Sequence, residues 1–344
     1  MSTRTKYERL LARRAPQDER RIYNFSESFE TQYGDATKYL IGAMSPVAPL
    51  YTQRLIVQGD RVENQLKTRL AVLYPALEFR RQGSVSNNTH IKFHSDVDVL
   101  VIIDKFHTLE PPQQPPSPYR GNPDQDLIDL RQNCADELKN AFPAATVDNK
   151  GSTCVTIDGG SLVCSVDAVP SNWFNTVAWS QYRQEHERGV QVYNRDKGQR
   201  ILNRPFLYNH RIHSHDLPRI GVPRCLMRLL KNIKADHEKS GLDDDVDFSS
   251  FDICSLVYRM PDDLVAGIHN RPLRLIYALL VWIANVLNTP SLRGSLNVVD
   301  DSRLIFDTPT KEHGLRILFE DLKILYHQAD QETSNRQILT ESHL

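Results

Sequence analysis

Apolar and polar positions alternate along this chain in two periods, and each period marks a kind of element. Residues 97–103 read V-D-V-L-V-I-I, apolar except at Asp98, with Asp96 just ahead of them. Side chains two apart in a strand share a face, so Asp96 and Asp98 project together while Val97, Val99 and Val101 face the other way. In residues 162–169, Leu162, Cys164, Val166 and Ala168 interleave with Val163, Ser165, Asp167 and Val169, which predicts a strand carrying Asp167 in its middle. Residues 154–157 read as a partner strand, and Asp158-Gly159-Gly160 as the hairpin turn between the two. The third carboxylate then rides a hairpin strand able to pair beside the first.

Helical spacing governs other stretches. Leu50, Ile56, Val57, Val62, Leu66, Leu70 and Leu73 recur at near-helical intervals, and Pro75 supplies the stop. Leu127, Leu130, Cys134, Leu138 and Phe142 mark an amphipathic helix closed by Pro143. From Pro223 onward the helical period dominates, over residues 225–234, 251–257, 273–287 and 315–326. Residues 104–124 are dense in proline (Pro111, Pro112, Pro115, Pro116, Pro118, Pro123) and read as an exposed loop. Residues 190–224 read as irregular, rich in Arg, Asn and His. The first 35 residues are charged, with Tyr23, Phe25 and Phe29 as the side chains able to pin an arm onto the body. The expectation is an α/β (α+β) protein in two parts, a strand-bearing core over 1–205 and a helical lobe over 206–344.

Composition narrows the function. The 344 residues hold 42 Lys and Arg against 43 Asp and Glu, a formal net charge of -1, so no basic excess advertises standing nucleic-acid binding. Cys134, Cys154, Cys164, Cys225 and Cys254 form no C-x-x-C pair, which fits a reducing cytosol. The opening M-S-T-R-T-K-Y-E-R lacks the apolar core of a signal peptide. The apolar run 275–287 is broken by Asn285 and falls short of the roughly 20 residues a membrane helix needs. A cytoplasmic protein without a membrane partner is expected.

The candidate chemistry lies at the acidic strand ends. An Asp-X-Asp at a strand's start is often only a solvated end. Asp167 is harder to dismiss, because a charge in the middle of a strand is costly without a partner such as a metal or a cation. Oxygen ligands of this kind suit Mg²⁺ or Mn²⁺. Gly83 lets the backbone approach an anion closely, and Ser84 adds a hydroxyl and an N–H. His210, His213 and His215 form H-x-x-H-x-H, whose spacing suits no common structural zinc set; a polar loop is the expectation there. Arg195, Lys197, Arg200, Arg204 and Arg211 read as a solvated face.

Taken jointly, Gly83-Ser84, a spacer containing Thr89, Asp96-Val97-Asp98, and a later strand carrying Asp167 before Val169-Pro170 resemble the DNA polymerase β-like nucleotidyltransferases. The form G-S-x(4)-T-x-I-x(3)-S-D-V-D is most similar to the bacterial cGAS/DncV-like nucleotidyltransferases, which make cyclic di- and trinucleotides in anti-phage defence. That resemblance implies a palm with a mixed sheet, a bracing helix, a C-terminal helical lobe, and NTPs bound in the cleft between the lobes. It implies two Mg²⁺ or Mn²⁺ ions, shared by Asp96 and Asp98, with Asp167 holding the one that activates the acceptor hydroxyl. It places the donor triphosphate against Gly83 and Ser84, and assigns phosphate contacts to Lys231 and to Ser250, with Ser249 as the alternative. A downstream effector would meet the enzyme only through its product. Residues 85–88 lack the second glycine often found after Gly-Ser in this family. Two rival functions are a template-independent RNA or protein nucleotidyltransferase, and a catalytically silent nucleotide sensor. Near-neutral charge opposes an RNA acceptor, and three converging carboxylates oppose the sensor.

Overall fold

The computed structural model describes residues 33–92, 96–238 and 246–341. The arm expected to be pinned by Tyr23, Phe25 and Phe29 lies outside them. Contacts group the chain into two units. One comprises Pro49–Asn87 with Ser95–Arg211, and the other Met1–Ala48, Asn88–His94 and Ile212–Leu344.

The first unit is built on a seven-stranded sheet. Its strands are β1 (Glu78–Gln82), β2 (Val97–Leu109), β3 (Thr146–Asp148), β4 (Val155–Asp158), β5 (Val166–Asn175), β6 (Arg188–Asn194) and β7 (Gln199–Asn203). The order is β1-β2-β5-β4-β3, with β6 added against β5 and β7 against β6. β2 and β5 run parallel while every other pair is antiparallel, which makes the sheet mixed. A parallel pair needs cover on both faces. Leu100, Ile102, Val169, Trp173, Val190, Val192 and Phe206 supply a buried cluster, each side chain worth roughly 1.5–3 kcal/mol on full burial.

Three expectations are corrected here. β2 continues to Leu109 rather than ending at Ile103. Its pairing with β5 breaks after Ile103 and resumes at Thr108, so Asp104 and Lys105 turn to solvent inside a continuing strand. Only residues 110–122 of the proline-dense stretch stay irregular, and they are anchored: Glu110 N–H and Gln113 Nε2 both donate to the Asn175 carbonyl, at 3.0 and 3.1 Å. Residues 190–204, expected to be irregular, instead form the β6–β7 hairpin, because Val190 and Val192 bury while Gly198 takes the positive φ of 61° its turn requires. The third correction is that the strand around Asp167 starts at Val166 and not at Leu162, so residues 159–165 form a longer loop than the Gly-Gly turn implied.

Among the described residues, eight helices of nine residues or more fill in the rest. α1 is Asp35–Met44, α2 Pro49–Arg69, α3 Pro123–Ala141, α4 Pro205–Asp216, α5 Val222–Glu238, α6 Ser250–Tyr258, α7 Pro272–Asn288 and α8 Thr310–Glu341. α2 packs on β2 and on α3, and α3 on β5. The division between units falls inside α4, after Arg211. Residues 33–48 also group with the helices and not with the sheet. The reason is specific: Glu332 of α8 accepts the Ala36 N–H at 3.0 Å and the Thr37 N–H at 2.9 Å, closing the open N-terminus of α1. Tyr39 O–H donates to Asp236 of α5 at 2.8 Å. No helix among the described residues is long and apolar enough to cross a membrane.

Candidate active site

Parallel pairing puts Asp98 and Asp167 opposite each other, in register on β2 and β5. Asp96 stands just before β2, where Val97 N–H donates to the Ser165 carbonyl at 3.2 Å and carries the pairing one step further back. The expected trio therefore collects at one end of adjacent strands. Asp98 and Asp167 are half-buried and Asp96 is exposed.

Each carboxylate has a neighbouring donor. Thr156 Oγ1 donates to Asp167 Oδ1 at 2.6 Å, and the Cys154 thiol donates to the same carboxylate. Ser165 Oγ donates to Asp96 Oδ1, and the Gln82 side chain bonds Asp98. None of these four partners stands out by residue type in the sequence; only the pairing register, Thr156 with Asp167 and Gln82 with Asp98, reveals the in-sheet ones.

Charge is unbalanced in this cluster. Burial first, then the charges of Asp167 and Asp96, push the Asp98 carboxyl up to about 7, against a smaller opposing effect of Gln82. Burial likewise raises Asp167, while the Thr156 and Cys154 donors pull it down. Cys154 is pushed up to about 11 by burial and by Asp167, so it stays a thiol at neutral pH.

Among the described residues no three His, Cys, Asp or Glu side chains are arranged as they stand to hold a metal ion. Asp96 is turned to Ser165 and Asp167 to Thr156, while burial and the two neighbouring charges raise the Asp98 carboxyl. The donor set is hard oxygen at the reach of one strand pair, which fits Mg²⁺ or Mn²⁺. Gly83, at φ 82°, lies against Asp98, and a Cβ there would collide with the carboxylate. Gly83 opens a single helical turn, Gly83–Ser86, straight from β1.

The other predicted residues belong to the helical unit. Lys231 on α5 is 5% exposed, and its Nζ donates to the Thr89 carbonyl at 2.8 Å. Arg228, one turn earlier, donates to the carbonyls of Met44 at 3.0 Å and Asn88 at 2.6 Å. Two buried cations thus hold the carbonyls of Asn88 and Thr89, where the Thr-X-Ile part of the motif begins. Burial, with these charges, pushes His90 down to about 4, so its ring is neutral at physiological pH. At α6 the N-cap is Ser249, whose hydroxyl accepts Asp252 N–H at 3.1 Å in a capping box. Ser250 is exposed, and its hydroxyl has no partner among the described residues.

His210, His213 and His215 lie on α4, which corrects the expected polar loop. His210 stacks on His186 at 3.9 Å, and His215 leans on Tyr258 at 4.5 Å. Of the arginines read as a solvated face, Arg200 is spoken for by Asp124 at 2.7 Å and Arg204 by Glu110 at 3.6 Å.

No protein-family model matches the sequence. Individual proteins do. The chain is 35% identical over 322 residues to the cyclic dinucleotide synthase CdnE of Yersinia aleksiciae, covering 92% of this chain and 83% of that protein. It is 29% identical over 331 residues to a c-di-GMP synthase of Capnocytophaga granulosa, covering 88% and 90%. The solved STING-associated CdnE c-di-GMP synthase from Capnocytophaga granulosa matches with a TM-score of 0.79 at 27% identity, over 96% of this chain and 99% of that one. The Rhodothermus marinus CdnE c-UMP-AMP synthase with Apcpp and Upnpp, at 17% identity and TM-score 0.64 over 84% and 95%, shares the fold. The expected palm and helical lobe are thus the architecture found, and the chain belongs to the CdnE cyclic dinucleotide synthases, nucleotidyltransferases of the cGAS/DncV-like group.

Proposed function

We propose that this enzyme joins two NTPs into a cyclic dinucleotide, with cyclic di-GMP the first product to seek, because relatives at 26–29% identity carry that name. The observation that carries the reading is the register of Asp98 with Asp167 on parallel strands, with Gly83 against Asp98. Gly83 and Ser84 receive the donor triphosphate through backbone N–H groups and a hydroxyl. Asp96, Asp98 and Asp167 are the carboxylates that would hold divalent cations beside the reacting phosphate. Two Mg²⁺ or Mn²⁺ ions held there would neutralise charge on the attacking and leaving oxygens. The acceptor hydroxyl, on the Asp167 side, attacks the α-phosphorus; pyrophosphate leaves and the hydroxyl proton passes to solvent. The linear product then turns in the same pocket so that its own hydroxyl attacks the remaining triphosphate.

Ser250, exposed at the start of α6, is our candidate for a phosphate contact. For Lys231 the same role requires the ammonium to leave the Thr89 carbonyl that it holds. One similar solved structure is described as STING-associated; our reading adds an effector that meets this enzyme only through its product, in antiviral signalling. The test is incubation of purified protein with labelled NTPs and Mg²⁺ or Mn²⁺, phosphatase treatment, and mass spectrometry. A phosphatase-resistant cyclic dinucleotide is expected. Linear products alone, or unchanged product from the Asp96→Asn, Asp98→Asn double variant, sink the reading.

A further inference from the structure

We propose that Thr156 is a positioning residue, one that fixes the Asp167 carboxylate in the orientation a divalent cation needs. This rests on the reading of Asp167 as a cation ligand. Thr156 and Asp167 are a directly opposed pair across the antiparallel β4–β5 ladder, and such pairs point to one face with Cβ atoms about 5 Å apart. The hydroxyl donates to Asp167 Oδ1 at 2.6 Å, in the short range of hydrogen bonds to an ionised acceptor. A threonine is β-branched and stiff about its first torsion, so the donor direction is set by the strand and not by chance rotation. Donating to one oxygen leaves the other to turn outward.

Cys154 reinforces the arrangement from two residues back on the same face. Its Sγ lies 3.7 Å from Thr156 Oγ1, and its thiol also bonds the Asp167 carboxylate. Ser165 stands to Asp96 as Thr156 does to Asp167, but from a loop rather than a strand. The ladder position is what singles out Thr156, because a strand pair holds its partner's geometry more firmly than a loop does. Outer-layer donors to metal ligands commonly govern affinity by 10- to 100-fold.

The experiment measures Mn²⁺ binding to the full chain by the loss of the free-ion paramagnetic resonance signal, with unfolding temperature recorded beside it. Thr156→Val keeps the shape and removes the donor; Thr156→Ser keeps the donor. The expected result is a loss of Mn²⁺ affinity of about tenfold or more in Thr156→Val, with Thr156→Ser close to wild type. In turnover, kcat falls while KM for NTP holds. Thr156→Ala gives the same readout if the valine variant does not fold. A Thr156→Val protein that melts lower yet binds Mn²⁺ as wild type does overturns the proposal and leaves Thr156 as mere packing. If Asp167→Asn binds Mn²⁺ like wild type, the cation reading itself fails, and this inference falls with it.

Discussion

Two acidic sites in this chain solve the same electrostatic problem in opposite ways. Asp252, in the helical unit and fully buried, has its charge answered: Arg303 bonds Oδ1 at 2.6 Å, Lys311 approaches it at 3.3 Å, and Ser249 bonds Oδ2 at 2.6 Å. Asp96, Asp98 and Asp167, in the sheet unit, have hydroxyl, thiol and amide donors but, among the described residues, no Lys or Arg bonded to them, and burial together with the neighbouring charges pushes the Asp98 carboxyl up to about 7. One carboxylate is committed to holding a helix start in place. The others are left wanting positive charge, which is what a site reserved for a cation requires.

That contrast breaks most sharply at Asp98. Asp98→Asn is expected to lower product formation by about a thousandfold or more, since cation stabilisation of the transferring phosphate is worth several kcal/mol. The same change in the metal-free protein should raise the unfolding temperature at pH 8, because it removes an unwelcome charge. If it lowers stability instead, the cluster is structural and the comparison fails. Asp252→Asn should do the reverse, costing about 2 kcal/mol in urea unfolding by removing the buried acid that Arg303 and Lys311 bond alongside Asp307. Unaltered stability there would show that the two cations find water as readily as they find the acid.

The pH dependence sharpens the point. A folded value near 7 against 3.8 means the folded chain binds the Asp98 proton more tightly than the unfolded one. The stability this gives is complete below about pH 4 and is lost as pH rises through 7. A cation replaces the proton, so Mn²⁺ should raise the metal-free melting temperature at pH 8 by on the order of 3 °C, and by little at pH 5.5. Equal shifts at both values sink the assignment. The smallest effects separate two neighbours. Ser249→Ala should cost about 1 kcal/mol of stability with turnover kept, and Ser250→Ala should raise KM for NTP several-fold with stability kept. Exchanged results would move the phosphate contact to Ser249.

The three aspartates were legible because strand alternation is local: V-D-V and C-S-V-D declare their faces without help from the rest of the chain. Helices with a clean apolar stripe were legible for the same reason. What stayed hidden depends on partners far off in sequence. Thr156 matters only once the β4–β5 register is known, and α1 is tied to the helices by partners as remote as Glu332, 296 residues from Ala36. The β6–β7 hairpin was masked by its arginines and asparagines, whose polar heads disguise a Val190–Val192 alternation that faces Trp173. The motif draws attention to Lys231, yet its burial against Thr89 is a tertiary fact.

Gly83 acts through an absent atom. The smallest possible addition, one methyl, meets an oxygen of Asp98, and the backbone there has a twist that other residues resist. No replacement at that position is conservative in any chemical sense. Anyone hunting further kin of this enzyme by its signature should therefore weigh that opening letter as heavily as the acids it makes room for.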